Sequence, residues 1–250
     1  MLCGRLSSYG SIAVSFSGGI DSTVLLAAAV RALPDRHIAV FADLPMLSGR
    51  QRATALNVAG ELGADTVTIK LAWDDLPGIF ENDRKRCYIC KSAIYSAVRR
   101  TADEHGCDVC ADGENSSDIS DDRPGRKAAA EMNIVSPLKE LGFSRSVIKK
   151  MFADLGLRAA VLKETCMLTR LPPDVHFSGD DVALVEECEE IIRNISGVKQ
   201  IRMRIRDGYT ELVTAPDETD MLFRSEDELS QRLAAKGISP VRINGEGYKE

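Results

Sequence analysis

The feature that most constrains this chain is a short apolar run, Ile12 to Phe16, that breaks into Ser17-Gly18-Gly19 and continues from Ser22 to Leu33 as an Ala/Leu-rich stretch closed by Pro34. An apolar run too short for a helix, a glycine pair and then a helical pattern read as strand, tight turn and helix. The alternation goes on. Residues 38–41 read as a second strand, 49–62 as a helix ending before Gly63, and 66–71 as a third strand. A polar stretch over 74–90 reads as a surface loop ahead of a helix over 91–105. A fourth strand is expected over 107–111, with helices over 127–132 and 144–154. Strands taking turns with helices imply an α/β domain, a parallel sheet covered by helices.

After Gly156 the pattern changes, and Leu171-Pro172-Pro173 breaks the chain. Beyond it come a helix over 181–195, strands over 198–206 and 209–214, a helix over 225–237 and a strand over 238–243. This reads as a small C-terminal α+β domain, so the expected division is 1–170 and 171–250. Disorder and fibre are excluded by a composition that is 44% apolar and 28% charged in 250 residues. The longest strongly apolar stretch, 24–30, falls far short of the roughly 20 residues of a membrane span. No charged-then-apolar segment opens the chain, so a cytoplasmic location is expected.

The glycine turn carries chemistry. In Ser17-Gly18-Gly19-Ile20-Asp21-Ser22 the glycines let the backbone turn with its N–H groups inward, at the positive end of the following helix. Ser17 and Ser22 add hydroxyl donors, and Asp21 suits a helix cap or a Mg²⁺ ligand. Such a loop holds phosphate. The hexapeptide resembles the SGGxDS signature of the PP-loop, or N-type ATP pyrophosphatase, superfamily, with its adenine nucleotide alpha hydrolase-like fold. The resemblance implies that ATP is cleaved between its α and β phosphates while AMP passes to an acceptor. Asp43, after the second strand, then falls where nucleotide contacts are expected, beside the plainer reading of a strand-end cap.

A second cluster follows the fourth strand: Asp112-Gly113-Glu114-Asn115, Asp118, Asp121 and Arg123-Pro124-Gly125-Arg126, with Ser136-Pro137-Leu138 downstream. Parallel sheets put their ligand crevice at such strand ends. Carboxylates there suit Mg²⁺ or ribose, and Arg123 suits phosphate. The stretch is similar to the DGxNxxD…RPG…SPL pattern of the LarE family of ATP-dependent sulfur transferases. That resemblance implies adenylation of a carboxylate of a pyridinium dicarboxylate mononucleotide, in nickel-pincer cofactor synthesis, then capture as a cysteinyl thioester and release of a thiocarboxylate. It also implies a homo-oligomer.

Seven cysteines, an odd number, argue against a disulfide framework and for reactive, metal-binding or buried thiols. Cys87-Tyr88-Ile89-Cys90 suits two thiolates converging on one metal centre. Cys107 and Cys110 share that spacing inside an expected strand, where they point apart and fill core. Cys3 and Cys188 read as buried small residues. Cys166, in Thr165-Cys166-Met167-Leu168-Thr169-Arg170, aligns with the family's sulfur-bearing cysteine, where CMLTR stands in place of the CLASR of many relatives. Arg170 beside it suits lowering the thiol's pKa or binding nucleotide. The family implies either a [4Fe-4S] cluster on Cys87, Cys90 and Cys166, the favoured reading, or a sacrificed Cys166; a structural zinc on the same three cysteines is the plainer competitor.

Arg202, Arg204 and Arg206 alternate along an expected strand and share one face that suits a mononucleotide phosphate. In the family the first two and an acidic residue on the preceding helix line the substrate site; by spacing that residue is Glu190, with Glu187 as the alternative. A net charge of −6 and a pI near 5.3 argue against nucleic acid as partner and for a small anionic substrate. Two other readings stay open: a PP-loop tRNA thiolase or amide-forming enzyme using ATP and Mg²⁺ in the same way, and an ATP-binding or iron–sulfur sensor without turnover.

Overall fold

The computed structural model describes residues 1–117, 124–158 and 164–248. Contacts divide the chain into two compact units, Met1–Ile79 with Lys85–Leu162, and Phe80–Arg84 with Lys163–Glu250.

In the first unit, α1 (Leu2–Ser7) precedes β1 (Ile12–Phe16), α2 (Ile20–Ala32), β2 (His37–Asp43), α3 (Gly49–Glu61) and β3 (Thr66–Lys70). After a 3-10 turn at Trp73–Asp75 come α4 (Arg86–Glu104), β4 (Val109–Ala111), α5 (Pro124–Glu131), β5 (Ile134–Val135), α6 (Pro137–Glu140) and α7 (Arg145–Asp154). The strands form one sheet in the order β3-β2-β1-β4-β5, parallel throughout. The register Phe16↔Phe41 and Val14↔Ala111 sets β1 between β2 and β4.

The central strands are apolar almost continuously because both faces of the sheet are covered. Successive side chains of β1 take opposite sides. Ile12, Val14 and Phe16 pack with Leu25, Leu26 and Ala29 of α2 and Ile148 of α7. Ala13 instead joins Ile38, Val40, Cys110 and, from α4, Tyr95, Val98 and Ala102. Ser48 and Gln51 cap α3 reciprocally, satisfying amides that the first turn leaves open.

Several sequence readings need correction, among them the strand expected over 107–111, which begins only at Val109 and leaves Cys107 outside it. The stretch over 74–90 is not all loop, since α4 begins at Arg86 and takes in both Cys87 and Cys90. Its N-cap, Lys85, makes no side-chain cap bond, so no capping residue marks the true start. The helix expected over 225–237 is two, α9 (Thr219–Arg224) and α10 (Glu226–Ala234), because Ser225 leaves the helical region at φ −110° and ψ 9°.

In the second unit the 3-10 turn Met167–Arg170 leads to α8 (Gly179–Ser196), β6 (Ile201–Arg206), β7 (Tyr209–Thr214), α9, α10 and β8 (Val241–Ile243). β6 and β7 pair antiparallel, β7 and β8 parallel. Residues 164–170, read from sequence as the end of the first domain, pack here: Met167 and Leu168 are buried and their turn contacts α8 and β6. α8 is bounded by a Ser178–Asp181 capping box and by Gly197 in the left-handed region, φ 77°. Among the described residues no helix is long and apolar enough to cross a membrane.

Candidate active site

The strand order reverses at β1. The chain steps outward through β2 and β3 on one side and through β4 and β5 on the other, so a crevice opens at the C-terminal ends of β1 and β4. A cavity of about 590 Å³ lies there. Ser17, Gly19, Asp21 and Ser22 line it from the loop after β1, and Asp112, Gly113 and Glu114 from the loop after β4. Phe41, Leu44 and Leu47 supply an apolar wall, the surroundings an adenine ring would take.

Two glycines make this geometry possible. Gly18 sits at φ 75°, and a Cβ on it would stand 2.7 Å from the Cβ of Ala55 in α3. Gly113 leaves still less room: its Cβ would lie 2.7 Å from the amide nitrogen of Ser22 and 3.0 Å from the carbonyl carbon of Asp21. The second loop thus rests on the backbone of the first turn of α2, whose amides and partial positive charge suit an anion. Ser22 Oγ donates to Gly19 O at 3.0 Å and stands 3.1 Å from Ser17 Oγ. Asn115 Nδ2 donates to Asp21 Oδ1 at 3.1 Å, tying the loops together.

Asp112 is buried and held from three sides. The Tyr95 hydroxyl donates to Oδ2, while Ser136 Oγ, at 2.7 Å, and the Glu114 amide, at 3.1 Å, donate to Oδ1. Burial, and then the charge of Asp112, push the Tyr95 phenol well above its usual range, so it stays a donor. Glu114 accepts from Arg126 Nε and from Lys139 Nζ at 3.0 Å. Burial drives its carboxyl upward, but these two cations outweigh that and leave it below the usual value.

The expected residues do not all meet. Ser17, Gly19, Asp21, Ser22, Asp112 and Gly113 share the cavity, with Gly18 shaping the turn between them. Asp43 ends β2 but accepts from Arg52 Nε of α3. Asp118, Asp121 and Arg123 lie outside the described residues. Cys87 is exposed and lines the same cavity, and Cys90 stands three residues on along the same side of α4. Arg126 of the second cluster also lines it, as do Lys91 and Tyr95, which the sequence reading did not single out. The signal existed: Cys87, Lys91, Ile94 and Tyr95 follow helical spacing once the helix is begun at Arg86. Cys110 is core, its thiol pushed up to about 11 by burial, and Cys188 likewise.

In the second unit Cys166 is exposed and caps the 3-10 turn. Arg202 lies 3.7 Å over the Tyr248 ring, whose phenol burial pushes up to about 12. Arg204 and Arg206 both face Glu211, at 3.9 and 3.0 Å. From α8 it is Glu189 that is buried against Arg170 Nε, at 2.9 Å, while half-exposed Glu190 accepts from Arg193 at 2.6 Å and Glu187 from Lys236 at 2.5 Å. Among the described residues no three His, Cys, Asp or Glu side chains gather to hold a metal ion.

The sheet order, the SGGIDS turn and the crevice at the reversal define an α/β fold of the PP-loop type. The chain is 26% identical over 159 residues to one component of the glutamine-hydrolysing GMP synthase of Archaeoglobus fulgidus, covering 59% of this chain and 52% of that one. It is 30% identical over 241 residues to an uncharacterised protein of Methanocaldococcus jannaschii, across 95% of this chain and 90% of the relative. It is also 26% identical over 250 residues to the pyridinium-3,5-bisthiocarboxylic acid mononucleotide synthase of Lactiplantibacillus plantarum, across 99% and 90%. The chain belongs to the LarE family. No protein-family model matches it.

With so little room at the second loop, Gly113→Ala should weaken ATP binding at least about 10-fold by displacing the first turn of α2, whereas Gly60→Ala, with open space around it, should leave binding unchanged and stabilise α3 by about 0.5–1 kcal/mol; isothermal titration and thermal unfolding check both. In metal-free protein at pH 8, iodoacetamide should label Cys87 and Cys166 well before Cys110 and Cys188, read by peptide mass spectrometry.

Proposed function

We propose that this chain is an ATP-dependent sulfur transferase that adenylates a carboxylate of a small anionic mononucleotide of the pyridinium dicarboxylate kind and then replaces the activated oxygen by sulfur, as in nickel-pincer cofactor synthesis. The observation that carries this reading is the cavity in which the phosphate loop at the start of α2 faces Lys91 and Arg126 beside an apolar wall. Relatives named as a mononucleotide thiocarboxylate synthase and as part of a GMP synthase support it.

In this account the loop amides and the Ser17 and Ser22 hydroxyls hold the β and γ phosphates, and Asp21 shares Mg²⁺ with them. A carboxylate oxygen of the acceptor attacks the α phosphorus, and pyrophosphate leaves with its charge met by Lys91 and the loop. The Cys166 thiolate then attacks the acyl carbon, forming a thioester as AMP departs. Cleavage of the cysteine's own Cβ–S bond, with loss of its α proton, releases the thiocarboxylate and leaves dehydroalanine. Arg202 and Arg204 are proposed to meet the acceptor's phosphate.

An iron–sulfur cluster is the other route for the sulfur. The all-thiol donor set suits one, and Cys87 and Cys90 share a helix side, with Cys166 as the third proposed ligand. Held by three cysteines, a [4Fe-4S] cluster would leave one iron to carry a sulfide.

Asp21→Ala should lower acceptor-dependent pyrophosphate release by about 10²–10³-fold, while Cys166→Ala should still release pyrophosphate yet form no thiocarboxylate. Wild-type protein that binds ATP but releases no pyrophosphate with any carboxylate acceptor would overturn the reading. Anaerobic purification decides the sulfur source: about four irons per chain, lost on Cys87→Ala, Cys90→Ala or Cys166→Ala, supports the cluster, and iron-free protein losing the mass of H₂S at Cys166 supports sacrifice.

A further inference from the structure

Arg170 is among the largest fully buried side chains, and its guanidinium is closed to solvent. A charge so placed needs close partners, and those of its Nη1 all belong to one turn. Nη1 donates to Thr165 O at 2.8 Å and Thr165 Oγ1 at 2.7 Å, with longer approaches to Cys166 O and Thr169 Oγ1 at 3.3 Å. Thr169 closes the loop from the other end, its amide and hydroxyl both donating to Cys166 O, at 2.9 and 2.7 Å.

On the far side, Arg170 Nε donates to Glu189 Oε1 at 2.9 Å. The same oxygen accepts the Met203 amide of β6 at 3.0 Å, and Glu189 Oε2 accepts from Arg193 at 3.3 Å. The turn that carries Cys166 is therefore pinned, through one arginine and one carboxylate, to α8 and β6 together. Stability alone does not account for such a pair. Buried ion pairs rarely gain over apolar packing, and this one leaves Arg170 Nη2 without a partner among the described residues.

We infer that Arg170 and Glu189 are positioning residues for Cys166: a buried clamp that fixes the backbone on both sides of the cysteine while its side chain remains exposed, and not a pair that binds the acceptor. This rests on the reading of Cys166 as the sulfur carrier. Thiol attack on an acyl carbon needs a fixed approach, and a displacement of about 1 Å costs about 100-fold in rate. The planar guanidinium reaches the carboxylate and the turn at once, and a lysine ammonium does not.

The test uses the full-length protein with Arg170→Lys, Glu189→Gln and Thr169→Val; the last removes one link of the clamp from an exposed position and leaves the buried charges intact. Hydrogen exchange by mass spectrometry should show residues 165–170 exchanging at least about 10-fold faster in all three, with α8 protected as in the wild type. With ATP and pyridinium dicarboxylate mononucleotide, the kcat for thiocarboxylate formation should fall about 100-fold in Arg170→Lys at an unchanged acceptor KM. Unchanged exchange in Thr169→Val together with either buried variant, or a raised acceptor KM at normal kcat, overturns the inference. The exchange readout needs no turnover, so a wild type that transfers no sulfur defeats the functional reading without touching the clamp itself.

Discussion

No side chain fits between Gly113 and the amide of Ser22, and the first unit depends on that closeness. A parallel sheet whose strand order reverses must splay two successive crossovers to opposite sides, which leaves a gap at the strand ends. Here the gap is closed at its base by backbone lying on backbone. The amides of the first α2 turn keep their outward aim because nothing bulky pushes them aside, and Asn115, by bonding Asp21, fixes the same two loops laterally. What remains open is a cavity with a polar floor and an apolar wall, the two environments a nucleotide needs.

Around that floor the charges are arranged in fixed pairs. Asp112 is surrounded by donors that hold it in place, and Tyr95, kept protonated, is one of them. Glu114, on the cavity wall, pairs with Arg126 beside it and with Lys139. The second unit uses the same device for a different end, placing a buried arginine and a buried glutamate behind an exposed cysteine turn. In both units hydrogen-bonded, buried charged groups stand behind the residues proposed to act.

Much of this was legible in the sequence because it depends on local rules. The strand, glycine turn and helix from Ile12 to Ala32 follow from apolar runs and two glycines, and the second loop could be placed because parallel strands end at their ligands. What could not be read depends on partners distant in the chain. Glu189 and Glu190 are adjacent and chemically identical, and only the packing of α8 on β6 decides which of them meets Arg170. The start of α4 was missed because Lys85 gives no capping signal, and with it went Lys91 and Tyr95 as parts of the cavity. Asp43 sits one residue from the cavity wall, yet Arg52, a residue on the neighbouring helix, turns it elsewhere.

In the proposed reaction a carboxylate oxygen is carried off by AMP when sulfur takes its place. It is tested most directly by supplying ATP and an acceptor whose carboxylates are labelled with ¹⁸O, then weighing the nucleotide product. Attack of the carboxylate on the α phosphorus, followed by cleavage at the acyl carbon, predicts AMP carrying one ¹⁸O per thiocarboxylate formed. Unlabelled AMP, or ADP in its place, would contradict this route, because water would then have attacked the α phosphorus, or the carboxylate a different phosphorus.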